Sequence, residues 1–272
     1  MEDMITGLCP QCGHTLHIPA ELASFSCMYC GARLTKEQLA AEPPAAQEAD
    51  EDRAAYYDRA VSRLGWCIKN FGGYQKKIMR DVFFEAFETY ETGCAPVIQE
   101  LARGVAPEQQ TQLLGRAAAA MLDELEAGWQ KKGDMEDEKI VLAIFFVPMV
   151  RKQQLPISEE FVTILQKQWV ERYPKSPFYL GDYESISGGF RKKFLGLCFI
   201  TTAVCQELGK PDDCEELTAF RAFRDGYLRS QPDGEALIRE YYNIAPGIVT
   251  CINTCSDRHA SYARIREEYL AP

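Results

Sequence analysis

No stretch of this sequence is apolar for long enough to cross a bilayer. The most apolar run, residues 140–150, covers eleven positions and contains Pro148, against about 20 for a spanning helix. The first residues are acidic and no apolar segment follows them, so no secretory signal is expected and a cytoplasmic location is. Positive charge is also scarce. Lys and Arg number 30 against 40 Asp and Glu, a formal charge of −10. So acidic a chain lacks the basic footprint that releases counterions from phosphates, which argues against a nucleic-acid partner. Strand-like alternation never persists for more than a few residues, and there is no Gly-rich phosphate loop, Gly-flanked nucleophile turn or carboxylate-flanked histidine. No complete catalytic constellation can be assembled from what remains.

What the sequence does contain begins with two Cys-x-x-Cys hooks, Cys9-Pro10-Gln11-Cys12-Gly13 and Cys27-Met28-Tyr29-Cys30-Gly31, separated by 14 residues. Four thiolates in two pairs suit one tetrahedral Zn²⁺, and Cys9, Cys12, Cys27 and Cys30 are the expected ligands. Each hook ends in Gly, which permits the sharp turn of a metal knuckle. Leu16 and Leu34 each stand four residues after the second Cys of their hooks, so the halves look duplicated. His14 and His17 are expected at the surface, because four Cys already close the site. A closed Cys₄ site folds its segment and does no chemistry. Glu2, Asp3, Glu21 and Glu37 outnumber Arg33 and Lys36 in this region, so the ribbon too lacks the charge for nucleic acid. Eleven cysteines, an odd total, together with a site that needs reduced thiols, imply a reducing compartment.

The expected organisation is a zinc ribbon over 1–36, a flexible acidic Ala/Pro linker over 37–53, a helical domain over 54–196 and a second helical unit over 197–272 packed on it. The fold class is mainly α, with strands confined to the ribbon. Tyr56, Tyr57, Ala60, Val61, Leu64 and Ile68 recur at helical spacing before Phe71-Gly72-Gly73. A second helix is expected from Ile78 to Gly93. A third opens near Pro107 and carries the stripe Leu114, Ala117, Ala118, Met121, Leu125 and Trp129. Residues 134–153 form the apolar helix, kinked or ended at Pro148. Ser158, with Glu159 and Glu160 behind it, starts another that closes at Pro174.

Residues 175–193 are expected to be an irregular connector, carrying Tyr179, Tyr183 and Arg191 as candidate functional side chains beside Gly188-Gly189. Further on, Pro211-Asp212 with Glu215 predicts a capped helix start, after which Cys214, Leu217, Phe220, Phe223 and Tyr227 keep one face apolar. The ordered motifs Cys198-Phe199-Ile200-Thr201-Thr202-Ala203, Phe220-Arg221, Phe223-Arg224-Asp225, Tyr241-Tyr242 and Ala245-Pro246 resemble the CFI-box C-terminal domain, a small module at the C-termini of bacterial and archaeal proteins. Thr201 stands where that family usually has Ala, and Val204-Cys205 where it has an aromatic and a small residue. The resemblance covers about 197–272. It implies a helical fold and no particular chemistry.

Cys251, Cys255 and His259 fall at i, i+4 and i+8, and Cys198 and Cys205 seven apart. If their helices meet, the five make a candidate second thiol or soft-metal cluster; tight core packing by Cys is the plainer expectation. The function expected from all this is a non-catalytic interaction or adaptor protein, holding one structural zinc and binding a protein partner through a mobile ribbon and a helical body. The alternatives are an enzyme with a site near the 175–193 loop and Cys198, and a thiol-based redox sensor.

Overall fold

Residues 4–10, 15–28, 31–39, 50–191 and 198–270 are described by a computed structural model. The chain is mainly α-helical with a small β region at its N-terminus, and its residues divide into two units, Met1–Asp52 and Arg53–Pro272.

In the first unit, β1 (Met4–Leu8) pairs antiparallel with β2 (Thr15–Pro19), and β3 (Ser24–Ser26) with β4 (Arg33–Thr35). Each Cys-x-x-Cys hook lies between the strands of its own hairpin, which is the duplication visible in the spacing. Cys9, Leu16, Ile18, Cys27 and Leu34 are buried together, with Leu16 on β2 and Leu34 on β4. The expected linker over 37–53 falls mostly outside the described residues. At its far end the structure differs, because helix α1 (Asp50–Leu64) already includes Asp50–Asp52. Asp52 puts negative charge in the first turn, which complements the helix dipole.

The second unit begins with α1, breaks at Gly65 and resumes as α2 (Trp66–Lys69). The next helix, α3 (Phe83–Gly104), starts after Ile78 and passes both Gly93 and Pro96. Gly93 is no terminator: a Cβ there would sit 3.2 Å from the Phe71 ring, so the glycine admits that ring against the helix. Next, α4 (Gln110–Gly128) buries Leu114, Ala117, Ala118, Met121 and Leu125 of the predicted stripe, whereas its last member, Trp129, follows the helix and is half-buried. After α5 (Lys132–Val141) comes a π-helical turn, Leu142–Phe146, and then α6 (Val147–Lys152). The wide turn lies just ahead of Pro148, whose ring and missing N–H an unbroken α-helix would not accommodate. All five residues of the turn are fully buried. Its Phe145 lies 5.2 Å from Tyr74, 5.7 Å from Phe83 and 5.6 Å from Tyr90 between ring centroids. Tyr90 donates from its hydroxyl to Cys67 O at 2.8 Å, satisfying both groups inside this aromatic core.

Helix α7 (Ser158–Arg172) starts where expected. Its Ser158 hydroxyl donates to Val150 O and accepts from Leu155 N. Buried Lys139 donates to Ser176 Oγ at 2.7 Å and pairs with Glu136 at 2.6 Å. Trp169 Nε1 holds the Ser176 carbonyl, so a compensated charge anchors the chain leaving α7.

Beyond it the irregular connector is corrected: residues Tyr183–Arg191 are helix α8. Asp182 accepts from Ser185 N at 2.8 Å and from the Ser185 hydroxyl at 2.8 Å, which starts the helix despite Gly188-Gly189. Phe190 stacks on Phe83 at 4.3 Å.

The rest comprises α9 (Phe199–Glu207), α10 (Glu215–Ala222) running into a π turn at Phe223–Leu228, α11 (Gly234–Cys255), and α12 (Arg258–Ile265) with a final π turn to Leu270. The start of α10 departs from the capping box: Cys214 occupies the cap, and Asp212 pairs with Arg221 at 2.8 Å. Helix α11 docks on the earlier helices. Asn243 accepts from Arg80 N through its carbonyl and from Asp81 N through its side chain, and Thr254 O accepts from Tyr179 N at 2.7 Å. Among the described residues, no helix is long and apolar enough to cross a membrane.

Candidate functional site

Of the expected zinc ligands, Cys9 and Cys27 are described, and both are buried. Cys12 and Cys30 lie outside the described residues. Cys9 directly follows β1 and Cys27 directly follows β3, so equivalent positions of two hairpins bring two sulfurs into one small core. Gly31 takes φ +75° and donates to Cys27 O at 2.8 Å, and Cys27 N donates to Ala32 O. That reversal is the geometry a Cys knuckle requires, and a Cβ-bearing residue would be strained in it. The donors present suit zinc. His17 is exposed, as expected, and His14 lies outside the described residues.

The second place with chemical content is a cleft of about 470 Å³ among α9, α10 and its π turn, α11 and the end of α12. Apolar side chains such as Ile200, Phe220, Leu237 and Ile238 make most of its wall, with Cys198, Thr201 and Arg224 as polar points. Arg224 pairs with Asp225 at 2.6 Å, donates to the Tyr242 hydroxyl at 2.8 Å and approaches Cys198 Sγ at 3.8 Å. Burial still pushes the Cys198 thiol above its ordinary range. A neutral thiol is a poor nucleophile. Phe223 and Tyr227, expected on the buried face, are 51% and 60% exposed and stack on each other at 5.3 Å. The π turn inserts a residue and rotates this part of the stripe outward.

The five residues of the expected second cluster do not meet. Cys255, with Cys251 packed beside it, belongs to the main core, whereas Cys198 and Cys205 pack with Leu217. Helix α11 ends at Cys255, so His259 sits on α12, 77% exposed and paired through Nδ1 with Glu207. Among the described residues the one group of three with ligand atoms mutually within 4.8 Å is Cys205, Cys214 and Glu216. Cys214 is expected from the sequence only on an apolar helix face, and Glu216 is not singled out. The signal was present as Cys-x-Glu at the start of a helix.

The candidate side chains of 175–193 also serve packing. Tyr183 lies 4.6 Å from the Phe87 ring and under Lys152 Nζ at 4.8 Å. Arg191 pairs with Glu184 at 3.3 Å and covers Phe84. Tyr179 is exposed, while its backbone N–H is held by Thr254 O.

Burial pushes Cys251 up to about 12 and Cys255 up to about 11, with Tyr262 also up to about 12. For the two thiols the unfolded chain ionises first, near the ordinary value of 9.0. Their contribution to stability is therefore complete below that pH and is lost as pH rises toward the folded values. The urea midpoint should fall between about pH 8 and about pH 10.5, and less so in Cys251→Ala. A flat midpoint over that window contradicts the burial argument.

Comparison with protein-family models, curated proteins and solved structures returns no match.

Proposed function

We propose that this chain is a non-catalytic, zinc-binding interaction protein of the cytoplasm, with a Cys₄ ribbon at one end and a helical docking body built on a CFI-box-like module at the other. The observation that carries the reading is the apolar cleft in that module. Phe223, Leu237 and Tyr269 line it and are 51%, 51% and 70% exposed. An accessible concave surface of this kind suits an apolar or aromatic anchor from a protein partner. The polar groups within it are committed to one another, as Arg224 is to Asp225 and Tyr242, which favours binding over proton transfer. Through its four thiols the ribbon takes a single zinc, which shapes a second contact surface. In the partner the anchor is a protein segment, since the chain's charge of −10 repels polyanions.

Selection of a displayed peptide library against the full chain tests this. Enriched peptides should share a large apolar anchor and lose binding by at least about tenfold to Leu237→Asp. Leu237 is exposed on α11, so the charge leaves the core intact. Peptides that bind parent and Leu237→Asp equally, or no enrichment at all, would remove the cleft as a docking site.

A further inference from the structure

The thiol pair at the α9–α10 corner has a geometry that neither the ribbon nor the cleft uses. Cys205 Sγ and Cys214 Sγ are 3.6 Å apart. Tetrahedral zinc with bonds of about 2.3 Å holds its sulfurs about 3.8 Å apart, so this pair is already spaced for one metal ion. A disulfide would require them to close to about 2.05 Å. A carboxylate oxygen of Glu216 completes a triangle in which all ligand atoms lie within 4.8 Å. We propose that Cys205, Cys214 and Glu216 form a second divalent-metal site of the zinc class, with its fourth position open to an exogenous donor.

The chain holds these ligands on fixed elements. Cys205 is in the last turn of α9, Cys214 caps α10 and Glu216 lies in the first turn of α10. The loop between them is tied down at several points. Gly209 takes φ +69°, Lys210 N donates to Cys205 O at 2.9 Å and Cys214 N donates to Pro211 O at 3.2 Å. Arg221 clamps Asp212 through its carbonyl at 2.7 Å and its carboxylate at 2.8 Å. Such support is what keeps donors in place without the metal.

The surroundings also match. Lys210 Nζ contacts Glu216 Oε1, an outer contact on the carboxylate that comes within 4.8 Å of both sulfurs. Two thiolates and one carboxylate around a dication leave one excess negative charge, which this ammonium balances. An outer partner on a ligating carboxylate is the usual arrangement in metal sites. Buried Leu217 and Cys205 close the inner side, while Cys214 and Glu216 are half-exposed and give the ion a way in. Thiolate donors select zinc over magnesium or calcium. With three protein ligands the site differs in kind from the ribbon's closed set of four, and it does not rest on the ribbon or on the cleft.

Cobalt and zinc titration of the reduced full chain under anaerobic conditions provides the test, with variants that separate the two sites. In a variant with Cys9, Cys12, Cys27 and Cys30 all changed to Ser, which leaves the ribbon no thiolate, a thiolate-to-cobalt charge-transfer band should still develop. It should be lost when Cys214→Ser is added. Serine keeps the helix cap at position 214, so circular dichroism should not change on that addition. Glu216→Gln on the same four-serine background should weaken zinc at least about tenfold. Absence of the band in the four-serine variant, or zinc binding there that Cys214→Ser leaves unchanged, overturns the assignment.

Discussion

Replacing Gly247 with alanine should destabilise the helical body by about 3 kcal/mol, at the upper end of what overpacking usually costs. A Cβ at this position would lie 1.8 Å from the Ile78 carbonyl oxygen and 3.0 Å from its carbon. That neighbour is backbone, and no side-chain rotation relieves the clash. Helix α11 would have to move away from the segment before α3. Its contacts there include both Asn243 hydrogen bonds, to Arg80 N and Asp81 N, so the shift would strip partners from backbone donors as well. Gly133→Ala supplies the contrast. Nothing lies within 4 Å of its added methyl, and in α5 alanine should be favoured by about 0.5–1 kcal/mol. Urea unfolding of the two variants measures the difference. If both shift alike, α11 is not seated on Ile78 as described, and the cleft walls it carries through Leu237 and Ile238 are misplaced with it.

Helices were legible where burial follows one face. The stripe from Leu114 to Leu125 and the Ser158 start needed only periodicity and end chemistry. Glycine and proline were harder, because their meaning depends on what packs against them. Gly93 looked like a stop and is a seat for Phe71. Pro148 looked like a break and is absorbed by the π turn before it. Gly188-Gly189 hid helix α8, although Asp182 and Ser185 mark its start. Gly93 is decided by a neighbour distant in sequence, which local pattern does not contain, whereas Pro148 and the start of α8 rest on local turns that a count of apolar residues passes over.

The thiol sites divide in the same way. The ribbon's hooks are local and repeat, and the structure buries Cys9 and Cys27, one from each hook, in one small core. The C-terminal cluster depends on which helices meet. Spacing put Cys251, Cys255 and His259 on one face, but the chain ends α11 at Cys255 and turns His259 toward Glu207. The corner that does gather ligands joins the end of one helix to the beginning of the next. Cys205 and Cys214 meet there because Gly209 and Pro211 reverse the chain between them, a local cue that helical periodicity passes over.

Removing metal from the ribbon should abolish folding of residues 1–36 and leave the helical body folded. The ribbon's own resources are small: its strands are five, five, three and three residues long. Among the described residues its core consists of Cys9, Leu16, Ile18, Cys27 and Leu34, with a few partly buried neighbours. Isolated two-stranded hairpins are marginal in water, and so few side chains cannot offset the entropy of ordering the segment. Zinc bound by four thiolates would supply about 10–16 kcal/mol at neutral pH, and in such modules that binding energy is folding energy. Cys27→Ser replaces two buried contributions at once, a proposed metal ligand and a core side chain. The expected result is loss of one zinc and collapse of the ribbon's dispersed amide signals in a ¹⁵N spectrum. Signals of the body should stay in place, because residues from Arg53 onward form their own compact unit with a large separate core. Acidification should do the same reversibly, since protons compete with zinc for each thiolate. Ribbon signals that persist unchanged after chelation would mean that the hairpins stand without metal, and the four-thiolate assignment would then lose its structural role.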